Sequence, residues 1–298
     1  MKFIFYTGTF IERWDYNNPD TVGIGGSETS QIEMSIRLAK RGHIVISYVP
    51  LPDGIEPHTH KNVFWKNTDN VDWDEDGIWV IYRAPHDIAN FTKKPDQVWL
   101  VCQDTWYWSL KEFAPKFDKV IALCPTHKEY LETEFGLTNV VISSNGIKTD
   151  LIREIEAEGI PERNPYRLIW TSSPDRGLGY LLKVFKKAKM IVPELELHIF
   201  YGFDNIDKMP ESVWTKAVKK DVMEGIQQEG VFWHGRRPQK EIYIEFLKSG
   251  IWCYLTSFEE TSCISCCEAQ ALGAIPITNP KWALRSNVMF GEVIEGNP

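Results

Sequence analysis

Short apolar runs rich in β-branched and aromatic residues alternate with amphipathic stretches along the whole chain. In the first half, the runs that predict buried strands are 2–7, 43–49, 78–82, 98–102, 120–124 and 140–143. Between the first two runs, Ile32, Ile36 and Ala39 recur at helical spacing, and Gly42 predicts the end of that helix. This alternation favours βα units that assemble into a parallel sheet.

The apolar pattern lapses into charges, Gly and Pro over residues 156–165, which predicts a linker. A second series follows, with strands predicted at 167–172, 196–202, 231–234, 251–256 and 274–278, and helices near 178–190, 211–228, 239–248 and 263–272. We therefore expect an α/β protein of two domains, 1–160 and 161–298, each a Rossmann-like, doubly wound parallel sheet. Ligands of such sheets bind beyond the carboxyl ends of the strands, so we expect the two domains to face a cleft.

The sequence stops on a turn-like Gly-Asn-Pro directly after a strand-like run. We therefore expect the second domain to be truncated and to lack its last helices.

Composition narrows the class of partner. The chain has 298 residues, 43% of them hydrophobic, and a net charge of -8, which argues against nucleic acid as a partner because phosphate binding needs an excess of Lys and Arg. The apolar stretch at the N-terminus is too short for a signal peptide, and no run is long enough to span a bilayer, so the expected location is cytoplasmic.

Six cysteines in a chain of this size without a secretory signal do not indicate a disulfide framework. Cys263 and Cys266 have the spacing of a zinc half-site, but no second Cys or His pair follows at the usual distance. We therefore expect no metal site.

The stretch "GIGGSE" is a glycine-rich loop that leads into a helix, for which Ser27 is the expected N-cap. Gly25 and Gly26 would let backbone N–H groups approach a phosphate or a sugar oxygen; an ordinary tight loop is the alternative. Glu28 occupies the place of the third glycine of the dinucleotide fingerprint, which disfavours a nicotinamide enzyme. Asp53 could nevertheless imitate the ribose-binding acid of such enzymes.

The stretch "EETSCISCCE" places Glu260 in a loop after a predicted strand and Glu268 more than a turn into the next helix. Backbone N–H groups near Cys263, Ile264 and Ser265 would form the open start of that helix and hold a diphosphate. The two carboxylates could then accept hydrogen bonds from sugar and ribose hydroxyls. Acids placed near a helix start for reasons of the helix dipole alone are the alternative.

In "SPDRG", Arg176 follows a predicted strand, where its guanidinium could neutralise a leaving diphosphate. A surface arginine near a turn is the alternative. Trp106, Tyr107 and Trp108 could stack on an acceptor sugar ring, and core packing is an equal alternative. His86, His127 and His234 are interpreted as hydrogen-bonded loop residues rather than catalysts.

Together, these segments resemble the retaining family 4 glycosyltransferases of the GT-B fold. The matching pieces are "GIGGSE", "SPDRGL" with "PELELHIFYG", "GVFWHGRRPQKEI" and "SFEETSCISCCEAQALGAIPI", the last of which carries two glutamates separated by seven residues and then Ala-x-Ala-x-Gly. The resemblance covers nearly the whole chain. It is closest to the bacterial and phage-type branch that carries "SPDRGL" and "EETSCI".

The resemblance implies a hexosyltransferase that moves a sugar from a UDP- or GDP-sugar to a glycan, lipid-linked or other hydroxyl acceptor with retention of configuration, as in polysaccharide biosynthesis. The first domain would carry the acceptor side and the second the donor site. No cofactor or metal is implied, because basic residues and helix dipoles replace the cation. The implied partners are the nucleotide sugar and the acceptor, with peripheral membrane association left open.

The resemblance also implies roles for single residues in the second domain. Glu268 would bind the nucleotide ribose and Glu260 the donor-sugar hydroxyls. The backbone from Cys263 to Ser265 would lie near sugar and phosphate. Arg176 matches the basic residue before Gly in the phosphate-binding pair of the family.

Other implied donor contacts come from glycine-containing loops. Gly25 and Gly26 would approach the diphosphate, and the backbone around Gly235 and Arg236 would flank the base. Ser173 is also implied as a donor-binding residue.

Two departures from the family pattern matter. Gln103-Asp104 stands where members usually have a histidine that is often followed by Asp, and Gln can orient a hydroxyl but cannot shuttle a proton. In the mechanism of the family, the departing phosphate takes the acceptor proton. The catalytic set implied is therefore Glu260, Arg176, Gln103 and Asp104.

The second departure is a serine, at 172 or 173, in place of the first basic residue of the phosphate pair, which Arg236 or Arg237 would have to replace. These departures motivate an alternative, a non-catalytic nucleotide-sugar or glycan binding protein. A third hypothesis, an NAD-dependent oxidoreductase, would leave Glu260 and Glu268 without a role.

Overall fold

The computed structural model describes residues 1–8, 12–107, 109–208 and 210–296, and they form two compact units. The first unit comprises Met1–Asn18 and Ile24–Asn145. The second comprises Pro19–Gly23 and the residues from Gly146 onward.

The first unit contains one sheet, in which the described residues form eight strands. In chain order they are β1 (Lys2–Thr7), β2 (Ile44–Val49), β3 (His58–His60), β4 (Val63–Asn67), β5 (Ile78–Tyr82), β6 (Gln97–Val101), β7 (Lys119–Ala122) and β8 (Val140–Ile142). Their spatial order is β3-β4-β2-β1-β5-β6-β7-β8, and all neighbours are parallel except β3 and β4. The helices that accompany this part of the chain are α1 (Asn18–Thr21), α2 (Gly26–Lys40), α3 (Leu110–Phe113) and α4 (Pro125–Phe135).

In the second unit, the described residues form a six-stranded parallel sheet. Its strands are β9 (Asn164–Trp170), β10 (Glu196–Ile199), β11 (Val231–Trp233), β12 (Ser249–Tyr254), β13 (Ile275–Thr278) and β14 (Glu292–Val293). Its helices are α5 (Thr149–Glu158), α6 (Leu178–Ile191), α7 (Asp204–Asp207), α8 (Val213–Gly225), α9 (Gln239–Lys248), α10 (Ile264–Ala271) and α11 (Leu284–Asn287). The strand order is β11-β10-β9-β12-β13-β14.

This order is that of a Rossmann-like sheet, in which the third, second and first strands lie to one side of a switch point and the fourth, fifth and sixth to the other. The switch point of the second sheet lies between β9 and β12, and that of the first sheet lies between β1 and β5. Both sheets therefore have the predicted doubly wound α/β architecture.

Apolar packing covers both faces of the first sheet. Along β1, Ile4 and Tyr6 belong to one buried cluster, whereas Phe3 and Phe5 belong to another. Side chains alternate between the faces of a strand, so a sheet covered on both sides needs the continuous apolar runs that the sequence shows. In the second unit, Trp170 and Trp252 are fully buried in a single large cluster.

The apolar runs predict most strands to within a few residues. The short strands β3 and β4 were missed, although Val63 and Trp65 are fully buried. The first unit also ends at Asn145 rather than at residue 160. The reason is α5, which packs Ile155 into the core of the second unit, so that only residues 159–163 of the predicted linker lie outside regular structure.

The described helices include none that is both long and apolar enough to cross a membrane.

Candidate functional site

Residues at the switch point of the second sheet form the core of the candidate site. The loop after β9 carries Ser173 and Arg176, and the loop after β12 carries Glu260. Because β9 and β12 are neighbours and parallel, their carboxyl ends meet at one edge of the sheet. Doubly wound sheets bind their ligands at this position.

Arg176 and Glu260 are in direct contact there. Nη1 of Arg176 lies 3.0 Å from Oε1 of Glu260, and the Tyr254 hydroxyl donates to the same oxygen. The side chain of Glu260 is 5% exposed and that of Arg176 is 37% exposed. Glu260 is therefore buried, whereas part of the Arg176 guanidinium is exposed and has further N–H groups that can donate to a ligand.

Neighbouring side chains keep Arg176 charged and orient its guanidinium group. Burial alone would lower the pKa of Arg176, but the adjacent Glu260 carboxylate raises it above the ordinary value. The ring of Phe258 lies 4.2 Å from Cζ of Arg176, close enough for a cation–π contact.

The turn that carries Arg176 requires glycine at its end. Gly177 has φ of 117°, and a Cβ on it would collide with the carbonyl oxygen of Leu255. The loop after β9 thus packs backbone against backbone on the end of β12. Ser173 lies in the same loop, but its hydroxyl donates to the Asp175 carboxylate.

Helix α10 begins without a side-chain cap. Cys263 precedes it with φ of 51° and ψ of 67°, a left-handed conformation that costs a non-glycine residue about 1–3 kcal/mol and is common at functional sites. The N–H groups of Ile264 and Ser265 are in the first turn, where no intrahelical acceptor exists. Uncapped N–H groups at the start of a helix can bind an anion, so the predicted anion site at α10 stays a prediction.

Asparagine side chains fix the loop between β12 and α10. Asn279 donates to the carbonyl of Thr256 at 2.8 Å and accepts from its N–H at 2.9 Å. Asn287 donates to the carbonyl of Ser262, and the carbonyl of Glu260 accepts from the N–H of Ala283 at 2.9 Å. Hydrogen bonds from residues next to β13 and α11 thus fix the backbone around Glu260.

Glu268 occupies a buried position on α10 and is 8% exposed. Its Oε1 accepts a hydrogen bond of 3.0 Å from Gln239, one turn before Tyr243 on α9. Burial raises the pKa of Glu268 to about 7, although hydrogen bonds from Gln239 and Tyr243 and the charge of Lys148 act in the opposite direction. This carboxylate can therefore change its charge near neutral pH.

Gly235 and Arg236 follow β11 on the same side of the second sheet. Gly235 has φ of 70°, and nothing lies within 4 Å of a Cβ built on it. The guanidinium of Arg236 lies 5.1 Å from the ring centroid of Tyr201, and its Nε lies 3.8 Å from the Asp204 carboxylate. The loops after β10 and β11 are joined by this contact.

In the first unit, the structure corrects the expected cap of α2. The helix begins at Gly26 with Gly25 as its N-cap, so Ser27 lies inside the first turn. Its hydroxyl donates to Oε1 of Gln103 at 3.4 Å. A Cβ on Gly25 would overlap the Glu28 carboxylate, which folds back over the helix start. The Glu28 carboxylate thus lies directly beside the backbone of residue 25.

Gln103 and Asp104 lie after β6, at the carboxyl edge of the first sheet. Their N–H groups donate to the Tyr107 hydroxyl at 2.7 and 2.9 Å. Asp104 accepts two hydrogen bonds from Arg83, at 2.7 and 3.3 Å, and Glu28 lies 3.8 Å from the same guanidinium. Burial raises the pKa of Glu28, and Arg83 opposes this change.

Sequence reasoning missed several residues of these clusters: Arg83, Lys148, Tyr243, Tyr254 and Gln239. Arg83 directly follows β5, and its position after an apolar run was the available signal. Its left-handed φ of 65° and its pairing with Asp104 carried no signal in the sequence.

The remaining aromatic and histidine candidates differ in their surroundings. Tyr107 is buried and joins the core, Trp106 is 73% exposed, and Trp108 lies outside the described residues. His127 lies in α4 rather than in a loop, and its Nδ1 accepts from the N–H of Leu123 at 3.3 Å. His86 lies 3.7 Å from a carboxylate of Asp87.

The third histidine lies outside the clusters at the switch point, and of the cysteines only Cys263 is placed at the start of α10. His234 stacks on Phe200 with 4.4 Å between ring centroids. The six cysteines are free thiols, and no group of three or more His, Cys, Asp or Glu side chains within the described ranges is placed to hold a metal ion.

The described residues thus bring Arg176 and Glu260 into contact and place both on the second unit with Glu268, Gly235 and the start of α10. Gly25, Gly26, Gln103 and Asp104 belong to the first unit.

Two Rossmann-like parallel sheets in one chain define the GT-B fold, and solved glycosyltransferases share it with this protein. A sucrose-phosphate synthase from Thermosynechococcus elongatus is similar with a TM-score of 0.70 and 11% identity, over 96% of this chain and 83% of that one. A glycosyltransferase from Rickettsia africae gives a TM-score of 0.69 and 14% identity, over 100% and 85% of the two chains. HepE from Anabaena, solved in complex with UDP and glucose, gives 0.64 and 14%, over 100% and 86%. At such identities the likeness establishes the fold.

No family model matches the chain, and no curated protein matches it.

Proposed function

We propose that the protein is a retaining glycosyltransferase of the family 4 type, which transfers a hexose-type sugar from a UDP- or GDP-sugar to a hydroxyl of a glycan, lipid-linked or similar acceptor. The observation that carries the proposal is the contact between Arg176 and the sequestered Glu260 beside the uncapped start of α10, at the switch point of the second sheet. The GT-B fold supports it, because solved proteins of this fold carry glycosyltransferase names and one of them holds UDP and glucose.

In this proposal the pyrophosphate of the donor binds at the start of α10. The N–H groups of Ile264 and Ser265 would receive phosphate oxygens, aided by the helix dipole. The exposed part of the Arg176 guanidinium would pair with the same pyrophosphate and stabilise it as it leaves.

The two acids would bind the sugars on the two sides of the pyrophosphate, namely the donor sugar and the ribose. Within the described residues, both hydrogen bonds to the Glu260 carboxylate use Oε1, so Oε2 can accept from a donor-sugar hydroxyl. Glu268, buried against Gln239, would accept from the ribose. The backbone at Gly235, where nothing crowds the Cα, would flank the base.

The proton of the acceptor hydroxyl would pass to the departing phosphate. Gln103 therefore need not act as a base, and it and Asp104 would orient the acceptor. Since Arg176 and α10 supply the positive field, the proposed reaction needs no metal ion, and EDTA should leave turnover unchanged.

Binding of nucleotide diphosphates is the direct test. UDP, GDP and ADP are titrated by calorimetry and by thermal shift, with NAD as the comparison ligand, and at least one diphosphate should raise the melting temperature as its concentration exceeds the dissociation constant. Glu260→Ala should weaken binding of the sugar nucleotide. Glu259→Ala removes the exposed neighbouring acid and should leave it unchanged.

Turnover is tested by release of the sugar from a cognate sugar nucleotide. Proton NMR of the first product formed should show the anomer of the donor, as retention requires. Absence of binding for every diphosphate, or inversion at the anomeric carbon, would defeat the proposal.

A second candidate is a non-catalytic nucleotide-sugar binding protein. The observation in its favour is that Asp104 is engaged twice by Arg83, next to Gln103, where the resembled family has histidine. This candidate predicts nucleotide binding with no release of sugar, even in the Gln103→His variant. Restored or existing turnover would exclude it.

A further inference from the structure

The segment Pro19–Gly23 belongs to the second unit, although the residues before and after it belong to the first. Contacts near both of its ends attach it there. The Asp20 carboxylate lies 3.2 Å from Nζ of Lys148. Gly23 has φ of 75°, and a Cβ on it would lie 2.6 Å from the carbonyl oxygen of Arg237. The segment is therefore held on the second unit by an ion pair and by close backbone packing.

Both contacts lie beside the residues proposed to bind the nucleoside. Arg237 follows the backbone at Gly235 that is proposed to flank the base. The N–H of Lys148 donates to the Tyr243 hydroxyl at 3.2 Å, and that hydroxyl in turn donates to the Glu268 carboxylate. One tyrosine thus joins the lysine to the acid that is proposed to bind the ribose.

Lys148 and Glu268 are both withdrawn from water. The lysine side chain is 13% exposed, Glu268 is 8% exposed, and Tyr243 between them is fully buried. Charges in such surroundings are screened much less than charges at the surface. Burial raises the pKa of Glu268, and the charge of Lys148 opposes that change. The lysine therefore acts on the charge state of the acid without a direct ion pair.

The other groups that face Glu268 supply hydrogen bonds or no charge. Gln239 and Tyr243 on α9 donate hydrogen bonds to its carboxylate. Cys267 on α10 is a partly buried thiol, whose pKa is raised by burial and then by the same carboxylate. Among the described residues Lys148 is therefore the cation that acts on Glu268, and the Asp20 carboxylate competes for it.

We propose that Lys148 is a positioning residue of the donor site, and that its charge, shared between Asp20 and Glu268, keeps Glu268 ionised so that the carboxylate accepts hydrogen bonds from the ribose. The inference rests on the proposed function, which gives Glu268 the ribose as its partner. Lys148 acts through Glu268 and need not contact the nucleotide. The segment Pro19–Gly23 carries the competing acid, so its attachment sets how much of the lysine charge acts on Glu268.

The test locates the pH at which Glu268 becomes able to accept from the ribose. The affinity for UDP, or for GDP if only GDP binds, is measured by calorimetry from about pH 5.5 to about pH 9. Each affinity is divided by that of the same protein carrying Glu268→Gln, so that titration of the nucleotide phosphates cancels. In the wild type this ratio should bend near the pKa of Glu268, about 7.

Changes at Lys148 and Asp20 should move this bend in opposite directions. Lys148→Met should move it to higher pH, because the carboxylate loses its cation. A displacement of about one pH unit would lower the affinity about fivefold at pH 7 and little at pH 9. Lys148→Arg should restore the wild-type bend. Asp20→Asn should move the bend to lower pH, since Lys148 then acts on Glu268 without a competitor.

Lys240→Met is the matched control, because it removes a partly exposed lysine of α9 that pairs with Glu154 and Glu158. This variant should keep the wild-type bend, and each variant is checked for a cooperative urea transition. Should Lys148→Met fail to fold, Asp20→Asn decides, and only a bend at lower pH supports the proposal.

Two outcomes would overturn the role of Lys148 and leave nucleotide binding intact. One is a loss of affinity in Lys148→Met by the same factor at every pH, as a purely structural role predicts. The other is a bend that moves in neither Lys148→Met nor Asp20→Asn. A wild type that binds no nucleoside diphosphate at all would instead defeat the proposed function, and this role with it.

Discussion

Replacing Glu268 by Gln should stabilise the empty protein above neutral pH, although the change removes a proposed ligand-binding group. Glu268 is 8% exposed, and burial raises its pKa to about 7 from the ordinary 4.5. A carboxyl group whose pKa is raised by folding is stabilised in its neutral form. That contribution is fully present below about pH 4.5 and is lost as the pH rises through 7.

The size of the effect follows from the pKa difference. Between 4.5 in the unfolded chain and about 7 in the folded protein, ionisation of Glu268 costs about 3 kcal/mol of folding free energy at pH 8. Glutamine has nearly the same shape, keeps an acceptor for Gln239 and carries no charge to desolvate. Allowing for imperfect replacement of the hydrogen bonds, we expect a gain of about 1–3 kcal/mol at pH 8.

The assay is urea unfolding of wild type and Glu268→Gln from pH 4 to pH 8 without nucleotide. The difference in unfolding free energy should grow between about pH 4.5 and about pH 7 and level off at higher pH, whereas Glu259→Gln, at an exposed position, should follow the wild type. A variant that is equally or less stable than wild type at pH 8 would refute the reasoning, because the hydrogen bonds of the carboxylate would then outweigh its desolvation.

Three further measurements extend this reasoning. If the ribose donates to ionised Glu268, the ratio of UDP affinities of wild type and Glu268→Gln should rise roughly tenfold from pH 6 to pH 8, around the pKa of about 7; titration of the nucleotide phosphate cancels in this ratio, and a constant ratio would contradict the role. Gly177→Ala should lower the urea midpoint more than Gly136→Ala, since both positions have positive φ but only a Cβ at 177 meets backbone. The control should lose about 1–2 kcal/mol, and equal losses would exclude the steric explanation. Burial first and then the charge of Arg167 lower the pKa of His198, so its contribution to stability is present above pH 6.5 and is lost as the pH falls. His198→Asn should therefore reduce the loss of unfolding free energy as the pH falls below 6.5. An unchanged loss would show that other groups cause the sensitivity to acid.

The fold was largely predictable because strands buried on both faces of a sheet are continuously apolar, and the sequence shows such runs. The run "KFIFYT" predicts β1 over the observed Lys2–Thr7, since residues facing either side must be apolar. The boundary between the units was less predictable. Helix α5 looks charged in sequence, and only its contacts with the core of the second unit show to which unit it belongs.

The site was predictable where position along the chain determines position in space. Arg176 and Glu260 follow neighbouring parallel strands, so their meeting at one edge of the sheet follows from the order of the strands. The contacts of Glu268 with α9 depend on how α9 and α10 pack and could not be derived from either helix alone. Likewise, the start of α2 at Gly26, with Gly25 rather than Ser27 as its N-cap, did not follow from the N-cap propensity of serine.

The two acids of the second unit differ in a way that bears on function. Glu260 is balanced by Arg176, so its burial needs no further explanation than the pair itself. Glu268 receives hydrogen bonds but has no basic side chain in an ion pair with it among the described residues, and its raised pKa shows that the fold disfavours its charge. A group whose ionised form destabilises the empty protein is better explained by a bound state in which that charge accepts hydrogen bonds from hydroxyl donors. Stability without nucleotide and affinity with it should therefore change in opposite directions in Glu268→Gln, and a parallel change would assign Glu268 a purely structural role.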